Sequence, residues 1–256
     1  VTLSLRSRLL DQHGFRHGFS LRTGGVSEPP FATLNLARGV GDDPAHVAEN
    51  HARLARDIGY EEDRLYELSQ VHGAHVERAS TGSVSEALRA RQGDALVCAV
   101  PGAAIGVRVA DCAAILLAHP KSGTVAAVHA GWRGVVQGVI GAALSALCQE
   151  AEGRPDQLLA AVFPHIGVDA FELGEDVAQQ IAASAPEDSE VIRRGWGKPH
   201  ADLGRAIVAQ LARAGLAAEN IERLPGCTFR EPERFFSYRR DGAASGRHLA
   251  VIVAGC

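Results

Sequence analysis

The chain contains no methionine, no CxxC or HExxH signature, no internal repeat and no low-complexity segment. The missing methionine carries no functional meaning. The missing CxxC does: the five cysteines, Cys98, Cys112, Cys148, Cys227 and Cys256, are odd in number and scattered. That pattern argues against a secreted disulfide framework and suits a reducing cytosol. No apolar stretch approaches the roughly 20 residues needed to cross a bilayer. The opening VTLSLRSRLL lacks the long apolar region and small-residue cleavage site of an export signal. A cytoplasmic protein without a membrane partner is expected. Strong charge is absent too: 26 basic against 30 acidic residues leave a net −4, which supplies no basic footprint for nucleic acid. The expected partner is a small molecule, and the oligomeric state is open.

What is present is ordinary globular material, 46% hydrophobic and 22% charged over 256 residues, enough for one catalytic domain spanning 1–256. The first 36 residues read as strand-and-turn material, with special backbone concentrated between Ser20 and Leu36. A helix then begins at Asp43, an N-cap, with Pro44 in its first turn, Val47, Leu54 and Ile58 on one face, and Gly59 ending it. Short β segments follow at Leu65–Val71, Ala95–Ala99, Ile105–Ala110, Ala114–Ala118 and Thr124–Ala130. Val135–Cys148 reads as one buried helix, its Gly138 and Gly141 explained by close packing against a neighbour. Leu158–Phe163 and His248–Val253 read as strands, Glu175–Ala183 and Leu203–Ala214 as helices, and Ser184–His200 as a polar surface loop. Strands and helices intersperse without a clean βαβ period. The fold class is therefore α/β of the α+β type, a layered α/β sandwich with mixed β-sheets and not a doubly wound one.

Three short segments each place a good metal ligand beside a tight turn: Gln70-Val71-His72-Gly73, Ala110-Asp111-Cys112 and His129-Ala130-Gly131-Trp132-Arg133-Gly134. If the strands Leu65–Val71, Ile105–Ala110 and Thr124–Ala130 finish at one sheet edge, His72, Cys112 and His129 converge. Two imidazoles and a thiolate suit Zn²⁺ and leave a fourth position open, the arrangement of catalytic zinc. The same donors accept copper. The plainer reading is that a His or Cys at a strand end is packed or hydrogen-bonded structure, and spacing alone does not separate the two.

The chain resembles the YfiH-type family, long labelled laccase-domain or polyphenol oxidoreductase proteins. The likeness rests on Arg22-Thr23-Gly24-Gly25-Val26-Ser27, Leu34-Asn35-Leu36, Val40-Gly41-Asp42-Asp43, Gln70-Val71-His72-Gly73 and Gly93-Asp94-Ala95-Leu96-Val97. It continues through Ala110-Asp111-Cys112, His129 to Gly134, Phe171-Glu172-Leu173-Gly174, Cys227-Thr228 and Phe236-Ser237-Tyr238-Arg239-Arg240-Asp241. It implies a zinc site on His72, Cys112 and His129, an α/β sandwich, and purine nucleoside phosphorylase, adenosine deaminase and methylthioadenosine phosphorylase activities. Purine nucleosides and phosphate are then the partners. The chain departs from the family pattern at Gly39, His51 and Phe163-Pro164-His165-Ile166, none of which removes a ligand.

Catalytic roles are expected for His72, Cys112, His129 and Asp111. Asp111 would orient a ligand or move a proton, although strand-adjacent aspartates more often accept backbone hydrogen bonds. Arg133, in a turn before a helix, can meet an anion, as can Arg22, Arg239 and Arg240; surface arginines without such a role are common. Tyr238 offers an aromatic face with a polar tip to a purine. Asn35 contacts a sugar hydroxyl or fixes its loop. Cys98 and Cys148, in apolar runs, read as inert thiols. Three rival functions stand beside the nucleoside enzyme. They are a copper-dependent polyphenol oxidase, an amidase on peptidoglycan precursors with Cys112 as nucleophile, and a non-catalytic binding protein stabilised by zinc. A fourth ligand such as His75 or His165 would favour the last.

Overall fold

The strands at the centre of the chain show no alternation of apolar and polar residues, because both of their faces are covered. The structure, a computed structural model, describes residues 2–195 and 197–255; Cys256 lies outside them. Its strands are β1 (Ser4–Leu5), β2 (His17–Ser20), β3 (Leu65–Tyr66), β4 (Val76–Ala79), β5 (Ala95–Cys98), β6 (Ala104–Val109) and β7 (Ala113–His119). They continue with β8 (Thr124–Ala130), β9 (Leu159–Val162), β10 (Ile192–Arg193), β11 (His200–Ala201), β12 (Ile221–Arg223) and β13 (His248–Val253). The helices are α1 (Arg8–Gln12), α2 (Pro44–Ile58), α3 (Ser85–Arg89), α4 (Trp132–Val136), α5 (Val139–Ala151), α6 (Glu175–Ser184), α7 (Leu203–Arg213) and α8 (Tyr238–Asp241).

Two mixed sheets organise these strands, one in the order β1-β2-β13-β6-β3 and the other β12-β9-β7-β8-β5-β4. They pack face to face. Leu96, Leu116 and Ala127 of the six-stranded sheet meet Ile105, Val107, Ala250 and Ile252 of the other in one core. The opposite faces of the same strands are covered as well. Ile115, Leu117 and Val128 pack under Ile140, Leu144, Ile207 and Leu211 of α5 and α7, while Leu249, Val251 and Val253 pack under Leu54 and Ile58 of α2. Adjacent residues of a strand point to opposite faces, so β7 and β8 are buried along their whole length. The result is a helix–sheet–sheet–helix sandwich, the layered fold with mixed sheets expected from the sequence.

Helix α2 follows its local signals: Asp43 accepts the Ala45 amide, Pro44 opens the helix, and Gly59 closes it at φ 87°. The expected helix Val135–Cys148 is instead two, because Gly138 adopts φ 86° and breaks the run between α4 and α5. Close packing does not explain its glycines, since a Cβ at Gly138 or Gly141 would meet nothing within 4 Å. The expected strand Leu65–Val71 stops at Tyr66. Beyond it, the Gln70 side-chain amide takes over the pairing, donating to the Arg108 carbonyl at 2.7 Å and accepting the Arg108 amide at 2.8 Å. The first 36 residues include helix α1, which the turn-rich composition concealed and Ser7 caps. Ser184–His200 likewise contains β10, which pairs with β11.

Candidate metal centre

His129 is the penultimate residue of β8, Cys112 sits in the link that carries the chain from β6 across to β7, and His72 lies in the loop after β3. Because β6 and β8 belong to different sheets, the donors meet at one end of the sandwich, not along one edge of a single sheet. Their ligand atoms lie within 4.8 Å of one another, and no other group of three or more such side chains is found among the described residues. The His72 and His129 rings are 4.8 Å apart and nearly perpendicular.

One buried carboxylate arranges this cluster. Asp94, fully buried immediately before β5, accepts His129 Nδ1 at 2.8 Å and the backbone amides of His72 at 2.9 Å, Gly73 at 2.7 Å and Val71 at 3.3 Å. The bond to Nδ1 leaves Nε2 of His129 for a ligand, and the amide bonds hold the His72 loop in a fixed shape. Burial opposes ionisation of Asp94, but the hydrogen bonds from His129 and Gly73 hold its carboxyl below the usual range. Sequence reasoning named Gly93-Asp94 only as part of a motif. Its signal was an acidic residue at the head of an otherwise apolar strand.

His72 and Asp111 both have positive φ, 60° and 86°, a conformation non-glycine residues adopt only when their surroundings enforce it. Gly131 makes room for the cluster: a Cβ there would lie 2.9 Å from Cys112 Sγ and 3.1 Å from His72 Cδ2. Without metal, the two imidazoles outweigh burial and bring the Cys112 thiol down to about 6. Burial likewise opposes the rise of His129, which the Cys112 thiolate and Asp94 carry up to about 9.

The cluster opens into a cavity of about 620 Å³ lined by Arg38, Arg108, Arg133, Arg239 and Arg247 and by Asp111, Tyr238, Trp132 and Phe171. Of the expected substrate contacts, the fold brings Arg133, Tyr238 and Arg239 to this wall. Arg133 stacks on Trp132, and the helix behind it, α4, is only five residues long. Asp111 lines the wall with both oxygens engaged, accepting Thr228 Oγ1 at 2.6 Å and the Arg239 amide at 2.6 Å.

Arg22 and Asn35 lie outside the cavity lining. The Arg22 guanidinium donates to the Ala32 and Pro232 carbonyls and packs over Phe236. Asn35 is fully buried, and its amide binds Ala37, Asp42 and the backbone of Arg247. Asn35 therefore fixes a loop and, through it, a cavity arginine. Arg240 is also turned inward, onto the Thr228, Phe229 and Phe235 carbonyls. Neither His75, paired with Glu77, nor His165, bonded to the Phe163 carbonyl, joins the metal cluster. Arg38, Arg108 and Arg247 are the wall residues that sequence reasoning missed.

The chain is 41% identical over 236 residues to a protein of Deinococcus radiodurans named purine nucleoside phosphorylase, covering 92% of this chain and 88% of that one. It is 37% identical to purine nucleoside phosphorylase YfiH of Escherichia coli, over 91% of each chain. The crystal structure of YlmD from Geobacillus stearothermophilus superposes with a TM-score of 0.90 at 28% identity, over 99% of each chain. Residues 16–255 match a family described as multi-copper polyphenol oxidoreductase laccase, and the chain belongs to that family.

Proposed function

We propose that the chain is a zinc-dependent purine nucleoside enzyme that cleaves adenosine, inosine and methylthioadenosine with phosphate and deaminates adenosine. The observation that carries this reading is a cluster of His72, Cys112 and His129 in the wall of an arginine-lined cavity. It occurs in a chain whose relatives bear the phosphorylase name. Two imidazoles and a thiolate fit Zn²⁺, and the lack of a fourth donor among the described residues suits an open rather than a structural site. Several copper ions do not fit, since the described residues hold one such cluster. Bound there by His72, Cys112 and His129, a zinc ion would supply Lewis acidity.

The chain's own residues do the rest. In phosphorolysis a phosphate oxygen bonds to C1′ while the bond from C1′ to the purine nitrogen breaks, and the base leaves with the electron pair. The cavity arginines neutralise and orient the phosphate, and Tyr238, stacked beneath Arg247 at 5.3 Å, offers its ring to the purine. In deamination water adds at the purine C6 and ammonia departs, and Asp111 or another nearby group moves the protons.

A second reading has one specific observation in its favour. Asp94, His129 and Cys112 follow one another as orienter, base and thiol, the order of a cysteine nucleophile, which suits an amidase on peptidoglycan precursors. Metal analysis separates the two, because a metal-bound thiolate is not a free nucleophile. The test is a product assay on zinc-verified protein with adenosine or inosine, with and without phosphate, alongside Cys112→Ala. Phosphate-dependent free base, or inosine formed from adenosine, lost on substitution, is expected. No turnover by zinc-loaded protein would overturn the reading.

A further inference from the structure

Among the described residues, the buried polar side-chain atoms that lack a hydrogen-bond partner are His51 Nδ1, Tyr60 Oη, Glu67 Oε1 and Arg89 Nε. All four belong to one neighbourhood: His51, Tyr60 and Arg89 each interact electrostatically with Glu67. Glu67 is 1% exposed and is surrounded by three guanidiniums, with Arg38 Nη1 at 2.8 Å, Arg108 Nε at 3.4 Å and Arg89 Nε at 3.9 Å. Glu86 also acts on Arg89, so the surplus of positive charge falls on Arg38 and Arg108, which share Glu67. Two of those cations, Arg38 and Arg108, line the cavity.

The rest of this wall reinforces the surplus. Arg247 uses Nη1 on the Ser245 and Gly246 carbonyls and lies in the electrostatic reach of Arg108, Asp111 and Cys112, linking the arginines to the metal cluster. Asp111 is the one carboxylate in the lining, and its oxygens are already engaged by Thr228 and Arg239. Guanidiniums held in place from behind present their donors in the planar geometry that matches a tetrahedral oxyanion.

We infer that Arg38, Arg108 and Arg247 form an oxyanion subsite beside the metal cluster, and that Glu67 is the positioning residue that holds Arg38 and Arg108 for it. The identity of the oxyanion as a phosphate co-substrate rests on the nucleoside reading; the subsite itself does not. Its ligand is a phosphate group, either free inorganic phosphate or the phosphate of a nucleotide.

Calorimetric titration of metal-loaded protein with inorganic phosphate, with a nucleoside 5′-monophosphate and with inosine tests this. Phosphate should bind, and Arg38→Gln and Arg108→Gln should each weaken it about tenfold or more while inosine affinity stays within about twofold, as expected for loss of a charge-assisted contact. Glu67→Gln should weaken phosphate similarly and Glu67→Asp partly restore it; where Glu67→Gln does not fold, the arginine variants decide. A monophosphate that binds tighter than inorganic phosphate, and loses that advantage in the same variants, assigns the subsite to a nucleotide. No phosphate binding by the parent protein, or unchanged binding in both arginine variants, would overturn the subsite. Phosphate bound through these arginines without nucleoside turnover keeps the subsite and removes the reaction. Turnover with an unaltered KM for phosphate in the variants does the reverse.

Discussion

Asp94 and Glu67 are both buried carboxylates behind the cavity wall, yet they are satisfied in different ways. Asp94 accepts three backbone amides and one imidazole, so its ionisation is spent on fixing the shape of the His72 loop and the tilt of His129. Glu67 faces three guanidiniums and keeps one oxygen without a hydrogen bond, so it positions side chains and balances their charge where Asp94 shapes the backbone. The difference shows how one cavity can hold a metal cluster fixed through the backbone beside a cationic surface fixed through side-chain ion pairs. A carboxylate that accepts backbone amides sets the path of the chain, whereas one paired with guanidiniums sets where long side chains present their donors.

The largest effect is expected at the shape-fixing end. Cys112→Ala should abolish stoichiometric metal binding, read by elemental analysis, together with catalysis, because two imidazoles alone make a weak site. Next, Asp94→Asn should lower metal affinity by about 10- to 100-fold in chelator competition, the usual cost of losing the partner of a ligating histidine. Glu67→Gln should leave metal affinity almost unchanged. Equal losses in these two variants would break the comparison. Gly131→Ala should reduce metal occupancy and cost about 1–3 kcal/mol in denaturant unfolding, the range for overpacking, since the new methyl meets Cys112 and His72.

The charge-balancing end should show in the pH dependence of stability. Burial holds His51 down at about 4, against the pull of Glu67, and holds His248 down at about 3. Their folded values lie below the unfolded value near 6.5, so the unfolded chain takes up more protons. Their contribution is complete above about pH 6.5 and is lost as pH falls, by up to about 1.4 kcal/mol per pH unit for each histidine. Denaturant melts from pH 7 to pH 4 should follow that slope, and His51→Gln should flatten it. An unchanged slope would mean that His51 is already protonated against Glu67. The smallest effect is expected at the rim: Tyr238→Phe keeps the aromatic face and should change the KM for nucleoside by less than about threefold.

Much of this was legible from local rules. The caps of α2 are short-range features, a carboxylate on a nearby amide and a glycine at positive φ, and both are visible in the letters Asp43-Pro44 and Gly59. The split of Val135–Cys148 was less visible, because Gly138 in an apolar run is consistent with either a packed helix or a left-handed break. The short β3 was misread because Gln70 completes the pairing with its side chain, which has no signature in strand propensity.

By itself the sequence determined the layered class, through strands and helices interspersed without a clean βαβ period, and the donor types, through a histidine or cysteine beside each tight turn. Only the tertiary structure decided that His129, at the end of a strand, meets His72 and Cys112 from connecting segments at one end of the sandwich, and that Asp94 and Glu67 stand behind them. It also turned Arg22, Asn35 and Arg240 inward while Arg38, Arg108 and Arg247 line the cavity. An arginine carries the same charge and reach wherever it stands in the chain, so its role is set by which carbonyls and carboxylates the packed layers bring beside it.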